Sequence, residues 1–140
     1  MLTEVCFPDK TAARAFRSYA RLGLIGSRSA IETVCKIRGI CNDSAALDML
    51  AVFDTLRLLE FLGDTIALRA VRDIYFATAK TKLKSNEITL RIRRLADEMH
   101  CDDRTVYRRL KKARDMWEYL RAREKKQTVG KRSLLTKLIT

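Results

Sequence analysis

Apolar residues recur at helical spacing over the first third of the chain. The first stripe consists of Phe16, Tyr19 and Leu22. This spacing predicts a helix that stops at Gly23, because glycine is favoured just past a helix end. Ser29 followed by Glu32 matches a capping box and predicts a second, short helix that ends near Gly39.

The longest apolar segment runs from about Ala45 to Leu62 and predicts a helix with Gly63 past its end. One face holds Leu47, Leu50, Phe53 and Leu56, and a second holds Leu58, Leu59, Phe61 and Leu62. A helix that is apolar over so much of its circumference fills a core or forms an oligomer interface. Two hypotheses therefore stand for residues 45–62, the core of a single domain and the contact of a homodimer.

Two more helices are predicted before residue 100. Asp64 or Thr65 caps the first, whose inward residues are Ala67, Ala70, Val71, Ile74 and Ala77. The polar stretch 80–85 follows as a loop. The second helix is indicated by Ile88, Ile92, Leu95, Ala96 and Met99, although the alternation Ile88, Leu90, Ile92 also allows a strand.

The last long helix is predicted from about Arg104 to Arg123, after a short break whose aspartates, Asp102 and Asp103, can cap it. Its apolar face holds Val106, Leu110, Ala113, Trp117 and Leu120. A basic tail, 124–140, ends in a short cluster of Leu134, Leu135, Leu138 and Ile139. The whole pattern predicts an all-α protein with five to six helices and a C-terminal helix-turn-helix.

The positive charge lies in one part of the chain. Its 140 residues include 29 Lys and Arg against 17 Asp and Glu, a formal net charge of +12. Residues 1–64 are neutral, so the whole excess lies after them. This asymmetry predicts a neutral helical module at 1–64, for dimerisation or partner docking, and a basic module at 65–123 that binds a polyanion.

Several classes of protein are disfavoured. A membrane span and a secretory signal are not expected, and the four cysteines match no zinc spacing, so a cytoplasmic protein with reduced thiols is predicted. His100 is the single histidine and is interpreted as a turn residue rather than a metal ligand. The sequence holds no catalytic triad, Gly-rich phosphate loop or paired-carboxylate signature, so we expect neither enzyme activity nor a cofactor.

Residues 91–114 combine two predicted helices, a short break and a second helix dense in Arg and Lys. A helix-turn-helix needs a small residue, here Ala96, where the two helices cross closely. The first turns of its second helix enter the major groove of DNA. The predicted contacts to base edges are Arg104, Thr105 and Arg108. The predicted phosphate contacts are Tyr107, Lys111, Lys112, Arg114, Arg91, Arg93, Arg94, Lys80, Lys82 and Lys84.

The stretch LADEMHCDDRTVYRRLKKAR, residues 95–114, resembles the helix-turn-helix of sigma-factor region four and of small phage transcription activators of the ArpU and RinA type. Residues 65–123 follow the order of helices in that family. The resemblance implies a promoter-binding regulator encoded by a phage or mobile element. For the neutral half, 1–64, a dimerisation module, a docking surface for RNA polymerase and an inducer sensor are open alternatives. The resemblance also implies that Arg104, Thr105, Tyr107 and Arg108 face the DNA. His100 departs from the small turn residue usual there, and residues 1–64 match nothing in the family.

The sequence thus predicts a sequence-specific double-stranded DNA-binding transcriptional regulator. Two alternatives stay open. The same fold could serve DNA processing, as in a terminase small subunit or a recombination or replication factor. The basic face could instead meet an acidic protein, as in an inhibitor of a nucleic-acid enzyme. RNA binding is a weaker alternative, because the sequence has no aromatic platform for single strands.

Overall fold

A computed structural model describes residues 11–23, 27–37, 43–79, 84 and 86–139; at 36, 37, 43 and 124–139 it describes the backbone alone. The fold is all-α, as predicted, and the described residues contain no strand. The helices are α1 (Thr11–Arg21), α2 (Arg28–Ile37), α3 (Asp43–Phe61), α4 (Thr65–Ala70), α5 (Glu87–Glu98) and α6 (Asp103–Ile139). Between α4 and α5 lies a π-helical segment, Val71–Phe76. No helix in these ranges combines the length and apolarity that a membrane crossing needs.

Glycines in the left-handed region end α1 and α3, as the sequence predicts. The φ angles of Gly23 and Gly63 are +98° and +69°. At the end of α3, the Gly63 N–H donates to the Glu60 carbonyl and the Asp64 N–H donates to the Leu59 carbonyl. This pair of bonds is a Schellman motif, which satisfies carbonyls that would otherwise lack a partner.

The predicted cap of α2 was wrong by two residues. The hydroxyl of Ser27, not of Ser29, accepts a hydrogen bond from the Ala30 N–H at 3.2 Å. Ser29 lies inside the helix, where its carbonyl accepts from the Thr33 hydroxyl at 2.9 Å. Serines at both positions can cap a helix, so the capping-box pattern alone does not choose between them.

The helix predicted after Asp64 changes its winding partway. The carboxylate of Asp64 accepts from the Ala67 N–H at 3.1 Å and caps α4, as expected. After Ala70 the turns widen, and the Ala77 N–H donates to the Arg72 carbonyl five residues earlier. The extra residue per turn rotates the following side chains, and Ala77, predicted to point inward, is exposed.

The core lies between α3 and α6, with α1, α4, α5 and the π segment packed around them. Its largest fully buried side chain is Trp117, whose indole N–H donates to the Asp48 carbonyl at 3.2 Å. One turn further on, Arg121 is 7% exposed, and its Nε lies 2.6 Å from the Asp48 carboxylate. These contacts fix α6 to the N-terminal half of α3.

Most of the apolar surface of α3 is used within the chain. Met49, Leu50, Ala51, Val52 and Leu59 belong to the core. At the end of the helix, Phe61 is 86% exposed and Leu62 is 54% exposed. A single hydrophobic cluster includes residues from both 1–64 and 65–123, so the neutral and basic parts of the sequence share a core.

Candidate nucleic-acid interface

Helices α5 and α6 form the predicted pair, and the alternative of a strand at 88–92 is not realised. The apolar residues between them are buried, namely Ile92, Leu95, Ala96, Val106 and Leu110. Ala96 is 1% exposed, and its small side chain lets the two helices approach closely. The backbone of α6 continues past the predicted end at Arg123, through strong helix formers such as Lys125, Lys126 and Gln127. The side chains of the predicted tail lie outside the described residues.

The turn between α5 and α6 repeats the geometry that ends α3. His100 has a φ of +52°. Its N–H donates to the Asp97 carbonyl, and the Cys101 N–H donates to the Ala96 carbonyl. His100 is therefore the left-handed residue of a Schellman motif, the position that glycine holds at residue 63. The prediction that His100 is a turn residue is confirmed.

Asp102 fixes the start of α6. Its Oδ1 accepts from the Thr105 N–H at 2.9 Å and from the Thr105 hydroxyl at 2.7 Å. These two hydrogen bonds, followed by the nearby charges of Arg104 and Arg108, hold the pKa of Asp102 below its usual value. The carboxylate thus stays ionised beside the two arginines and holds the first turn of α6 in place.

Replacing His100 with glycine is expected to raise the free energy of unfolding by about 0.5–1 kcal/mol. A non-glycine residue in the left-handed region costs about 1–2 kcal/mol, and the backbone entropy of glycine cancels part of the gain. Urea unfolding of the purified variant measures the change. The control is Gly63→Ala at the equivalent position, which should lower stability. A loss of stability in His100→Gly would contradict the interpretation of this turn.

The face of α6 opposite the core carries three of the predicted DNA contacts. Arg104, Arg108 and Lys111 are exposed. Within the described part of the chain, none of the three forms an ion pair. Thr105 is half-buried, and its hydroxyl donates its proton to Asp102. Toward a further partner, the Thr105 hydroxyl can therefore act only as a hydrogen-bond acceptor. This side of α6 therefore presents cations that are in ion-pair contact with no described carboxylate.

Three of the predicted phosphate contacts are already bonded within the chain. Lys112 Nζ lies 2.6 Å from Asp64 Oδ2. Arg91 pairs with Glu87 at 3.1 Å and also donates to the Asp73 carbonyl at 3.4 Å. Arg114 donates to the Tyr75 hydroxyl at 3.4 Å. These cations hold helices together, which local sequence patterns do not reveal when the partners lie far away along the chain.

The remaining predicted contacts differ in how accessible they are. Arg94 and Lys84 are exposed. Arg93 is exposed too, and its Nε lies 3.7 Å from Asp103. Tyr107 is 47% exposed. Lys80 and Lys82 lie outside the described residues.

Sequence reasoning missed the carboxylate that organises the inner flank of α6. Asp64 Oδ2 accepts from Lys112 and also from Arg109, whose Nη1 lies 2.8 Å away. Burial alone would raise the pKa of Asp64, but the hydrogen bonds from Lys112 and the Ala67 N–H and the charge of Arg109 hold it below its ordinary value. The carboxylate is therefore charged, and it joins the α3–α4 turn to α6.

Three arginines of α1 were also absent from the site predicted from the sequence. Arg14, Arg17 and Arg21 line a groove of about 730 Å³ that reaches Tyr107 and Arg114 of α6. The sequence counts residues 1–64 as neutral, which hid these cations among acids that lie elsewhere in the fold. The residue spacing of three and four along α1 was the signal that could have found them, because it places all three on one side of a helix.

The described residues offer no metal site that would compete with this interface. Among them, no three His, Cys, Asp or Glu side chains could hold an ion. Cys35 is buried and Cys101 is half-buried. No family model matches this chain, and no curated protein and no solved structure matches it.

Proposed function

We propose that this protein binds double-stranded DNA in a sequence-specific manner and regulates transcription. The observation that carries the proposal is the face of α6 formed by Arg104, Arg108 and Lys111. These side chains are exposed, and within the described residues they form no ion pair. They follow a capped helix start and a tight turn, where a helix-turn-helix meets base edges.

The roles within the interface follow from position along α6. Arg104 and Arg108 lie in its first turns, the part of the helix that enters the major groove of DNA. An arginine there can bond to guanine through two N–H groups. Lys111 lies further along and suits phosphate. Arg93, Arg94 and Lys84 extend the positive surface before α6. Phosphate contacts supply affinity and base contacts supply preference.

The proposal extends to the partners expected from the sequence. We propose that the protein acts in the cytoplasm, contacts RNA polymerase and pairs with a second copy through residues 45–62. Phe61 and Leu62 support the pairing, because they are large apolar side chains exposed at the end of α3. Paired copies would select two half-sites about one DNA turn apart.

Selection from a pool of random duplexes tests the function. We expect the wild type to enrich a motif, and Arg104→Ala/Arg108→Ala to lose at least tenfold of its preference for that motif while keeping weak, salt-sensitive binding. One two-pronged arginine contact is worth about 1–3 kcal/mol of discrimination between bases. Binding constants for motif and scrambled duplexes at several salt concentrations measure the change.

The matched control is Arg72→Gln/Arg123→Gln, which removes two exposed positive charges that lie outside residues 45–62 and do not line the groove of Arg14, Arg17 and Arg21. It should leave the motif preference unchanged. Binding of all duplexes alike by the wild type, or of none, would overturn the proposed function. A preference that survives in Arg104→Ala/Arg108→Ala would show that other residues contact the bases.

A further inference from the structure

A groove beside α6 is lined by arginines from two helices. Arg14, Arg17 and Arg21 come from α1 and Arg114 comes from α6. Apolar side chains of Ile74, Ile88 and Ile92 also line it. Tyr107, in the second turn of α6, contributes to the wall, so the groove adjoins the side of α6 that carries Arg104 and Arg108.

Arg17 and Arg21 are held in a way that leaves their terminal nitrogens available. Arg17 donates from Nε to the Thr78 hydroxyl at 3.5 Å, and its guanidinium lies 5.4 Å from the centre of the Tyr75 ring. Arg21 donates from Nε to the Ala79 carbonyl at 2.7 Å. Both bonds use the inner nitrogen, and the two terminal nitrogens are those that bind a phosphate side by side.

The partners of these arginines belong to the segment that follows α4. Tyr75 lies in the π segment and is stacked on Phe16 with the ring centres 5.4 Å apart. Thr78 and Ala79 come directly after it, and Thr78 is 2% exposed. A rigid, buried support holds the guanidinium groups before any ligand arrives, which reduces the entropy lost on binding.

The groove has no described acid to neutralise it. None of its lining residues is Asp or Glu. In the described part of the chain, no carboxylate forms an ion pair with Arg14, Arg17, Arg21 or Arg114. Four guanidinium groups around one groove repel each other unless an anion joins them, so the groove suits a ligand with several negative charges.

We propose that this groove binds the phosphate backbone of the same DNA duplex that α6 contacts. The inference rests on the proposed function. Arg14 and Arg21 are seven residues apart on α1, about 10 Å along the helix, so the cations form a row rather than a single pocket. A row of that length matches a run of phosphates along one strand. The neutral half of the chain thereby contributes to affinity, while α6 supplies the preference for bases.

The variant Arg14→Gln/Arg21→Gln tests the proposal, because both side chains are exposed and the change leaves the core untouched. The dependence of log K on log salt should become shallower by about 0.9 for each phosphate that is no longer neutralised, hence by about 1.8. The motif preference should stay that of the wild type. Arg72→Gln/Arg123→Gln is the control for charge, and thermal unfolding checks the fold. If Arg21→Gln destabilises the fold, Arg14→Gln alone should give about half the effect.

Duplexes with single uncharged methylphosphonate linkages locate the phosphates that the groove binds. At certain positions, a methylphosphonate linkage should weaken duplex binding by the wild type but not by Arg14→Gln/Arg21→Gln. The reason is that the variant no longer binds the phosphate at those positions. A salt slope equal to that of the wild type would overturn the groove proposal and leave the proposed function standing if the motif preference persists. Absence of duplex binding by the wild type would overturn both.

Discussion

Replacing Asp64 with asparagine is expected to lower the free energy of unfolding by about 2–3 kcal/mol. The Asp64 side chain is 6% exposed, and it accepts from both Arg109 and Lys112. Breaking a buried ion pair costs about 3–5 kcal/mol, and we reduce this figure because both cations are 39% exposed and can turn toward water. Asparagine is also a good N-cap, so α4 keeps its start and the change isolates the ion pairs.

Urea unfolding measures the loss, and Asp54→Asn is the matched control. Asp54 pairs with Arg28 across α2 and α3, with side chains 27% and 39% exposed. An ion pair at that exposure contributes about 0–1 kcal/mol. Equal losses in the two variants would show that Asp64 stabilises the protein no more than a surface carboxylate does.

The effect of Asp64→Asn should depend on pH. The pKa of Asp64 is lowered in the folded chain, so its contribution is complete above the unfolded value of about 3.9. The contribution is lost as the pH falls through the lower folded pKa. The difference in stability between wild type and Asp64→Asn should therefore be full at about pH 6 and shrink below about pH 4. A difference that grows on acidification would contradict the assignment.

Replacing Trp117 with alanine is expected to lower the free energy of unfolding by about 3–5 kcal/mol. The side chain is fully buried, and truncation leaves a cavity where α6 packs on α3. The change also leaves the Asp48 carbonyl without the indole donor. Far-UV circular dichroism in urea is the measurement, because the variant lacks the single tryptophan that fluorescence would follow.

Two further variants make this prediction testable even if Trp117→Ala does not fold. Trp117→Phe keeps most of the apolar volume and should lose less. Tyr119→Ala, two residues on and 66% exposed, should change stability by no more than about 0.5 kcal/mol. Comparable losses at 117 and 119 would contradict the assignment of one face of α6 to the core.

Much of the fold was predictable because local patterns dominate it. The stripe Ile88, Ile92, Leu95 and Ala96 predicted α5, and the aspartates before Arg104 predicted the start of α6. The π segment was not predictable, because Val71–Phe76 has the same apolar spacing as an ordinary helix. The wider turns rotate the residues that follow them, and the error at Ala77 follows from that.

The candidate site was predictable on one side of α6 only. The exposure of Arg104, Arg108 and Lys111 follows from helical geometry. The pairing of Lys112 does not, because Asp64 lies 48 residues away along the chain. The groove beside Arg14 was hidden for a related reason. Net charge counted over a segment says nothing about which side of the folded molecule each charge occupies.

We expect the turn at Asp64 to tolerate no change of length. Surface turns usually accept insertions, because their backbone forms few hydrogen bonds and is little buried. Here the N–H of Asp64 closes α3, its carboxylate opens α4, and the same carboxylate holds Arg109 and Lys112. With one added residue between Gly63 and Asp64, Asp64 could no longer form all of these hydrogen bonds at once. Arg109 and Lys112 of α6 would then lose their shared carboxylate together. A tag or a fused domain placed at this turn would therefore disturb α6, although the two lie far apart in the sequence.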